Sequence, residues 1–143
     1  MKNPIFLFAG IILLFISCSK PSGTNPYQSE IIGTWKAVQI ANDNNNNQKM
    51  DATELRTFTP KEGLYYTFNS DKTGIRNSSD TGATLTYDTT YTFIYSFAGN
   101  YVDMRFNASD DIKMYIEKID NTTGMMTLRS EDNIWSWGVF QKQ

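Results

Sequence analysis

Leu85, Tyr87, Thr89, Tyr91, Phe93, Tyr95 and Phe97 recur at every second position, with Thr86, Asp88, Thr90, Thr92, Ile94 and Ser96 between them. Side chains on a β-strand point alternately to its two faces, so this run reads as one long strand with a greasy side and a wet side. A helix would scatter both sets around its circumference. Gly99-Asn100 then reverses the chain into Tyr101–Phe106, where Val102, Met104 and Phe106 alternate with Tyr101, Asp103 and Arg105. The pattern demands a sheet whose apolar side is covered.

The rest of the chain from Ile31 follows suit. Ile31–Ala41 is rich in β-branched and aromatic residues, and Leu64–Asn69 alternates. Ser70-Asp71-Lys72-Thr73-Gly74 makes a tight reversal. Asp110-Asp111 leads into Ile112–Asp120, Asn121-Thr122-Thr123-Gly124 turns into Met125–Ser130, and Glu131-Asp132-Asn133 turns into Ile134–Lys142. Only Asp51–Arg56 reads as helical, and it is short. These segments make eight expected strands, chiefly joined by hairpins and so antiparallel. The fold class expected is all-β, as an eight-stranded antiparallel up-and-down barrel, because closure removes both exposed sheet edges. A two-sheet sandwich fits the same pattern.

Ahead of the strands, Lys2 precedes the apolar stretch Ile5–Ile16, which closes in Phe15-Ile16-Ser17-Cys18. That is the plan of a secretory signal. The apolar run is shorter than the roughly 20 residues a bilayer-spanning helix needs. A cysteine at the cut resembles the lipobox of bacterial lipoproteins, which implies diacylglycerol on Cys18 and further acylation such as palmitate. The expected division is a signal peptide at 1–17, a lipidated tether at 18–30 and a domain at 31–143, held in the cell envelope, at the outer membrane. Ser19–Glu30 suits a tether, being polar, with Pro21, Gly23 and Pro26 and no apolar period.

Composition narrows the chemistry. The chain has no histidine, and its one cysteine is Cys18. The commonest general base, the usual nucleophile pairs and an internal disulfide are therefore missing, and the expectation is a non-enzyme. The formal net charge is −2 with Lys and Arg scattered, so no nucleic-acid partner is expected. Asp110-Asp111 and Glu131-Asp132 read as solvated acids at turns, and Asn77, Asn107 and Asn121 head turn-forming triplets that match a glycosylation pattern.

Gly33-Thr34-Trp35-Lys36 opens the first strand, Phe68-Asn69-Ser70-Asp71-Lys72-Thr73-Gly74 marks the next hairpin, and Trp135–Lys142 ends the chain in an aromatic-rich strand with a Lys. Together these resemble the lipocalin-like lipoproteins of Bacteroidetes-type bacteria across the whole chain. The resemblance implies that Gly33 permits close chain entry and Trp35 plugs the closed end of the barrel. It also implies a cation from a late strand stacked on the indole, with Lys142 the candidate and Arg129 the runner-up. Tyr66, Phe68, Tyr87, Tyr91, Phe93 and Tyr95 are the candidate lining of a ligand cavity, or else a packed core.

Asp43–Glu54 adds a separate motif. Asp43, Asn45, Asn47, Asp51 and Glu54 fall at positions 1, 3, 5, 9 and 12 of a calcium-loop spacing, and Lys49 would offer its carbonyl. Gln48 stands where that loop needs glycine. Two readings stay open, a weak Ca2+ site and a solvated Asn-rich turn. No other cofactor is expected. The functional expectation is a monomeric, lipid-anchored barrel binding a small apolar or amphipathic molecule. The alternative is a filled barrel whose loops dock an envelope protein, with calcium ordering loop 43–54, and chemistry on Asp and Tyr is a distant third.

Overall fold

The computed structural model describes residues 25–59, 61–81, 86–107, 110–131 and 136–143. Cys18, the signal at 1–17 and the tether up to residue 24 lie outside them. The described chain is all strand and turn: β1 (Gly33–Asn42), β2 (Leu55–Thr57), β3 (Glu62–Phe68), β4 (Thr73–Thr81), β5 (Thr86–Ala98), β6 (Tyr101–Asn107), β7 (Asp110–Asp120), β8 (Met125–Ser130) and β9 (Ser136–Lys142). From β3 to β9 each strand pairs antiparallel with the next, and β1 joins β3 to β9. The sheet therefore closes into an eight-stranded barrel, and the sandwich is set aside. Every pairing that closes it lies between Gly33 and Lys142, so the chain from residue 25 holds a complete folding unit.

The short extra strand β2 corrects one expectation. Asp51–Arg56 is not helical. Asp51 leads into a turn, and Leu55, Arg56 and Thr57 pair with Ala41, Ile40 and Gln39. The reason is an unfilled edge. β3 covers β1 only from Gly33 to Lys36, which leaves the N–H and C=O groups farther along β1 without partners on that side. So short a segment is also a poor isolated helix. Bulges at Val38 in β1 and Glu117 in β7 shift the register and add the local twist that helps the sheet curl.

Alternation places the core as expected. Trp35, Tyr66, Phe68, Phe93, Tyr95, Val102, Met104, Ile116, Met126, Leu128 and Phe140 are buried inside. Their rings interlock: Tyr66 sits 5.7 Å from Phe140 and Phe68 5.2 Å from Tyr95, both edge-on. Gly74 belongs to this packing, since a Cβ there would lie 2.2 Å from the Phe93 ring.

One end of the barrel is shut. Trp35 is completely buried, and its Nε1 donates to the Ile31 carbonyl at 2.6 Å. Lys142 Nζ lies 5.1 Å from the centre of the Trp35 ring. Gly33 makes room for that lysine, with a φ of +128° and space in which a Cβ would meet Lys142 Cε at 2.9 Å. Residues 25–30 fold over this end as a turn, with Tyr27 packed on the core and the Asn25 side chain donating to the Gly99 carbonyl. Arg129 is not the stacking cation. Register puts it on the outer face, where it lies 4.6 Å from the Tyr115 ring and pairs with Glu117 at 3.0 Å and with Glu131.

The β3–β4 reversal is held by Asp71, whose Oδ1 accepts from the Thr73 N–H at 3.0 Å and hydroxyl at 2.6 Å. Those bonds, the hydroxyl first, hold the carboxyl below its ordinary value. Lys72 takes the left-handed conformation, φ 69°, that the turn requires and lays Nζ 4.8 Å from the Phe97 ring.

Two tests follow from this closure. Gly33→Ala should lower the urea-unfolding free energy by about 1–3 kcal/mol, and Lys142→Met by about 0.5–2 kcal/mol. An unchanged midpoint for Lys142→Met would show that the stacking contributes nothing. Asp71→Ala should lower the melting temperature at neutral pH. A carboxyl with a depressed native pKa stabilises above its unfolded value and stops doing so as pH falls through the native one. The gap between wild type and Asp71→Ala should therefore narrow as pH falls below about 4, the ordinary Asp value, and a constant gap would refute the charged turn.

Candidate ligand site at the barrel mouth

The end opposite Trp35 carries an opening lined by aromatic side chains, whereas the Trp35 end has an outer depression of about 510 Å3 over Pro26, Ile32 and Lys72. The turns near Gly99 and Gly124 lie at the closed end with Asn25 and Lys142, so the β6–β7 turn is at the other. A cavity of about 390 Å3 opens there, lined by Arg76, Tyr91, Phe106, Asn107, Asp110, Asp111 and Ile112. Tyr91 is 44% exposed, and its ring stands edge-on to Phe106 at 6.4 Å, which in turn packs on Phe93 at 5.1 Å. The mouth thus has an aromatic wall that grades into the core. Deeper in, only about 70 Å3 is left, bordered by Ala37, Leu64, Tyr66, Met114, Leu128 and Phe140.

This divides the expected cavity lining. Tyr91 does line the mouth, and Tyr66 borders the small inner void. Phe68, Phe93 and Tyr95 are core instead, because the eight-stranded interior is narrow enough for interlocked rings to fill. The Tyr87 side chain lies outside the described residues. Burial pushes the Tyr66 phenol above its ordinary range, with the nearby Arg76 charge pulling the other way, so it stays protonated at neutral pH. Burial also raises the Tyr95 phenol, which donates to the Asn69 carbonyl at 2.5 Å.

Arg76 was not anticipated. Its place follows from register: it pairs with Tyr66 on β3 and Tyr91 on β5, both on the inner face. The signal in the sequence is parity, counting two residues on from Gly74, which must face inward to admit Phe93. Beyond it Ser78 and Thr89 share a hydroxyl–hydroxyl bond at 2.5 Å. A larger depression of about 560 Å3 lies outside the barrel over β4–β6, where Ile75, Thr92 and Arg105 flank Ile94, which is 57% exposed.

In loop 43–54 most of the candidate ligand oxygens accept hydrogen bonds from within the loop. Asp43 is buried, and its two oxygens accept from the N–H groups of Asn47 at 2.9 Å and Gln48 at 2.8 Å. Glu54 Oε1 accepts from the N–H of Asn44 at 2.9 Å and of Asn45 at 3.3 Å, while its Oε2 is buried without a partner. Asp51 Oδ2 accepts from the side-chain amides of Asn45 at 3.0 Å and Asn47 at 2.6 Å, and those bonds lower its pKa. Gln48 adopts the left-handed conformation, φ 59°, without being glycine. Lys49 donates its N–H to Asn47 Oδ1 at 2.9 Å. Among the described residues no three Asp or Glu side chains converge on one point as a metal-holding group. The arrangement is a turn capped by its own side chains.

The model of the lipocalin-like domain matches residues 31–123. The chain belongs to the lipocalin-like domain family. Among solved structures it is similar to a lipocalin-like protein from Bacteroides uniformis, with a TM-score of 0.56 and 13% identity over 80% of this chain and 99% of that one. Bovine odorant binding protein, as a deswapped triple mutant, matches with a TM-score of 0.47 and 12% identity over 80% of this chain and 75% of that one. No curated protein matches the sequence. In this lipocalin-like domain the family match ends at the β7–β8 turn, while Lys142 and the β1–β9 seam that shut the barrel lie beyond it.

The loop of the lipocalin-like domain yields a direct test. Asp43→Ala takes the charged acceptor from the part-buried N–H bonds of Asn47 and Gln48 and should cost about 1–3 kcal/mol. Because Asp43 spends both oxygens on the backbone of its own turn, the loss should be equal with and without millimolar Ca2+. A wild-type melting midpoint that climbs with added Ca2+ would restore the metal reading.

Proposed function

We propose that this protein is a lipid-anchored envelope lipoprotein whose barrel binds a small apolar or amphipathic molecule at its open mouth, without catalysis. The observation that carries the reading is the contrast between the two ends. One is sealed by a wholly buried indole, and the other keeps about 390 Å3 beside Tyr91, Phe106 and Ile112. That volume is in the range of small-molecule sites. The non-catalytic part rests on chemistry: the barrel has neither histidine nor thiol. Anchoring rests on Cys18 at the end of Ile5–Ile16, and the outer membrane is the proposed address. No cofactor is required on this reading, which is supported by the bonds that both Asp43 oxygens accept from within loop 43–54. A filled barrel that docks an envelope protein is the second reading, and the exposed Ile94 in its outer depression favours it.

Two measurements test the proposal. Growth with labelled palmitate should mark the wild-type protein and leave Cys18→Ser unlabelled. Native mass spectrometry of the full-length protein extracted from the host envelope should show an organic adduct, distinct from the acyl chains on Cys18, that dissociates on heating. A barrel free of adduct that also leaves the neutral fluorophore 1-aminoanthracene unbound would discard ligand binding, and co-purification of one stoichiometric protein would favour docking.

A further inference from the structure

We propose a second binding site, on the outer wall of the barrel and separate from the mouth: a shallow groove beside Tyr65 that takes a neutral pyranose unit of a glycan. The sugar's C–H face packs on the Tyr65 ring, and its hydroxyls bond to the side chains of Asn77, Ser79 and Thr90.

Parity and register assemble the groove. Leu64 and Tyr66 border the inner void, so Tyr65 between them faces outward. Its cross-strand partners are Lys36 on β1 and Asn77 on β4, and Asn77 pairs in turn with Thr90 on β5. Gly63, two residues earlier on the same face, pairs with Ser79. A Cβ at Gly63 would lie 2.9 Å from the Tyr65 ring and 2.6 Å from Ser79 Oγ. The ring therefore leans back over the glycine, which is buried although it faces outward. Side chains on a strand usually stand upright from the sheet, so a ring laid along it presents a flat surface. Lys36 approaches that ring from the β1 side, with Nζ 5.7 Å from its centre. On the β4 side a depression of about 540 Å3 opens, lined by Tyr65, Asn77, Ser78, Ser79, Thr89 and Thr90. It shares no lining residue with the cavity at the mouth. Asn77-Ser78-Ser79, read from the sequence as a turn, lies within β4, so these polar groups stand on a sheet.

The lining selects the ligand by what it contains. Among the described residues none that borders the depression is charged and none is aliphatic. A phosphate would meet no cation there, and a hydrocarbon would find a single ring. Ser78 and Thr89 bond to each other at 2.5 Å, whereas the side chains of Asn77, Ser79 and Thr90 have no partner among the described residues. An amide offers two donors and an acceptor, and each hydroxyl does both. That set answers the hydroxyls of a sugar, which also donate and accept. A pyranose adds an apolar C–H face that suits the surface of an aromatic ring. Tyrosine beside Asn and Ser combines rigid ring contact with adaptable hydrogen bonding, as in binding loops.

The test titrates maltohexaose, mannohexaose and cellohexaose, with hexagalacturonic acid as the charged comparison, into isotope-labelled residues 25–143 and follows backbone amide shifts by NMR. At least one neutral hexasaccharide should bind in the millimolar range. It should shift the amides of Tyr65, Asn77, Ser79 and Thr90 and leave those of Tyr91 and Ile112 at the mouth in place. Tyr65→Phe should keep most of that affinity, whereas Tyr65→Ala should lose about ten-fold. Asn77→Ala should lose about two- to ten-fold, the range of one hydrogen bond. No shift with any neutral sugar overturns the inference, as does a shift confined to the mouth. Hexagalacturonic acid binding more tightly than the neutral sugars overturns the uncharged ligand. Equal affinity of wild type, Tyr65→Ala and Asn77→Ala overturns the assigned residues. Should Tyr65→Ala fail to fold, Asn77→Ala and Thr90→Ala, both at exposed positions, carry the test.

Discussion

The rest of the structure depends on the indole of Trp35 being held at one end of the barrel. A tryptophan buries about 150–250 Å2, worth about 4–6 kcal/mol at the usual apolar coefficient, a large part of a small domain's net stability. Three things place it. The Ile31 carbonyl takes its N–H, Lys142 covers its face, and Gly33 gives way so that Lys142 can reach. Trp35 and Lys142 are also Cα partners in the β1–β9 seam. The plug and the closure are therefore one feature, and the hairpins between them are carried along.

What fills the interior follows from its size. Eight strands leave room for side chains and little more. Tyr66, Phe68, Phe93, Tyr95 and Phe140 occupy that room in edge-on and tilted contacts, and the inner void shrinks to about 70 Å3. Useful volume is thus displaced to the mouth, where β4 and β5 carry Ser78, Thr89 and the half-exposed Tyr91 beyond the packed rings. The same alternation that builds the core delivers Arg76 to the wall of that opening.

Elements governed by local periodicity were legible in the sequence. The run ending at Phe97, the reversals at Gly74, Gly99 and Gly124, and the entry through Gly33 and Trp35 all depend on near neighbours and stand as read. What depended on distant partners was not legible. β2 exists because β1 has an unfilled edge, a fact about β3's reach and not about residues 55–57. The choice of Lys142 over Arg129 turns on cross-strand pairing, which sets Lys142 directly beside Trp35 while Arg129 alternates outward from the buried Met126 and Leu128. The aromatic stripe could be core or cavity until ring-to-ring distances settled it. Arg76 escaped notice because its inward parity on β4 shows only through its cross-strand partners Tyr66 and Tyr91.

Topology also relates the mouth to the proposed anchor. Residues 25–31 cap the Trp35 end, with the Asn25 side chain on Gly99 and the Glu30 carbonyl 3.5 Å from Lys142 Nζ. From Cys18 to Asn25 the chain advances seven residues, a reach of at most about 25 Å when fully extended. An acylated Cys18 would hold the sealed end close to the bilayer, and the cavity beside Arg76, Asp110 and Asp111 would open on the far side. A ligand would then enter from the aqueous side and not directly from the leaflet that holds the anchor. That geometry suits an amphipathic molecule, because such a molecule spends part of its time in water and can reach an opening that faces away from the leaflet.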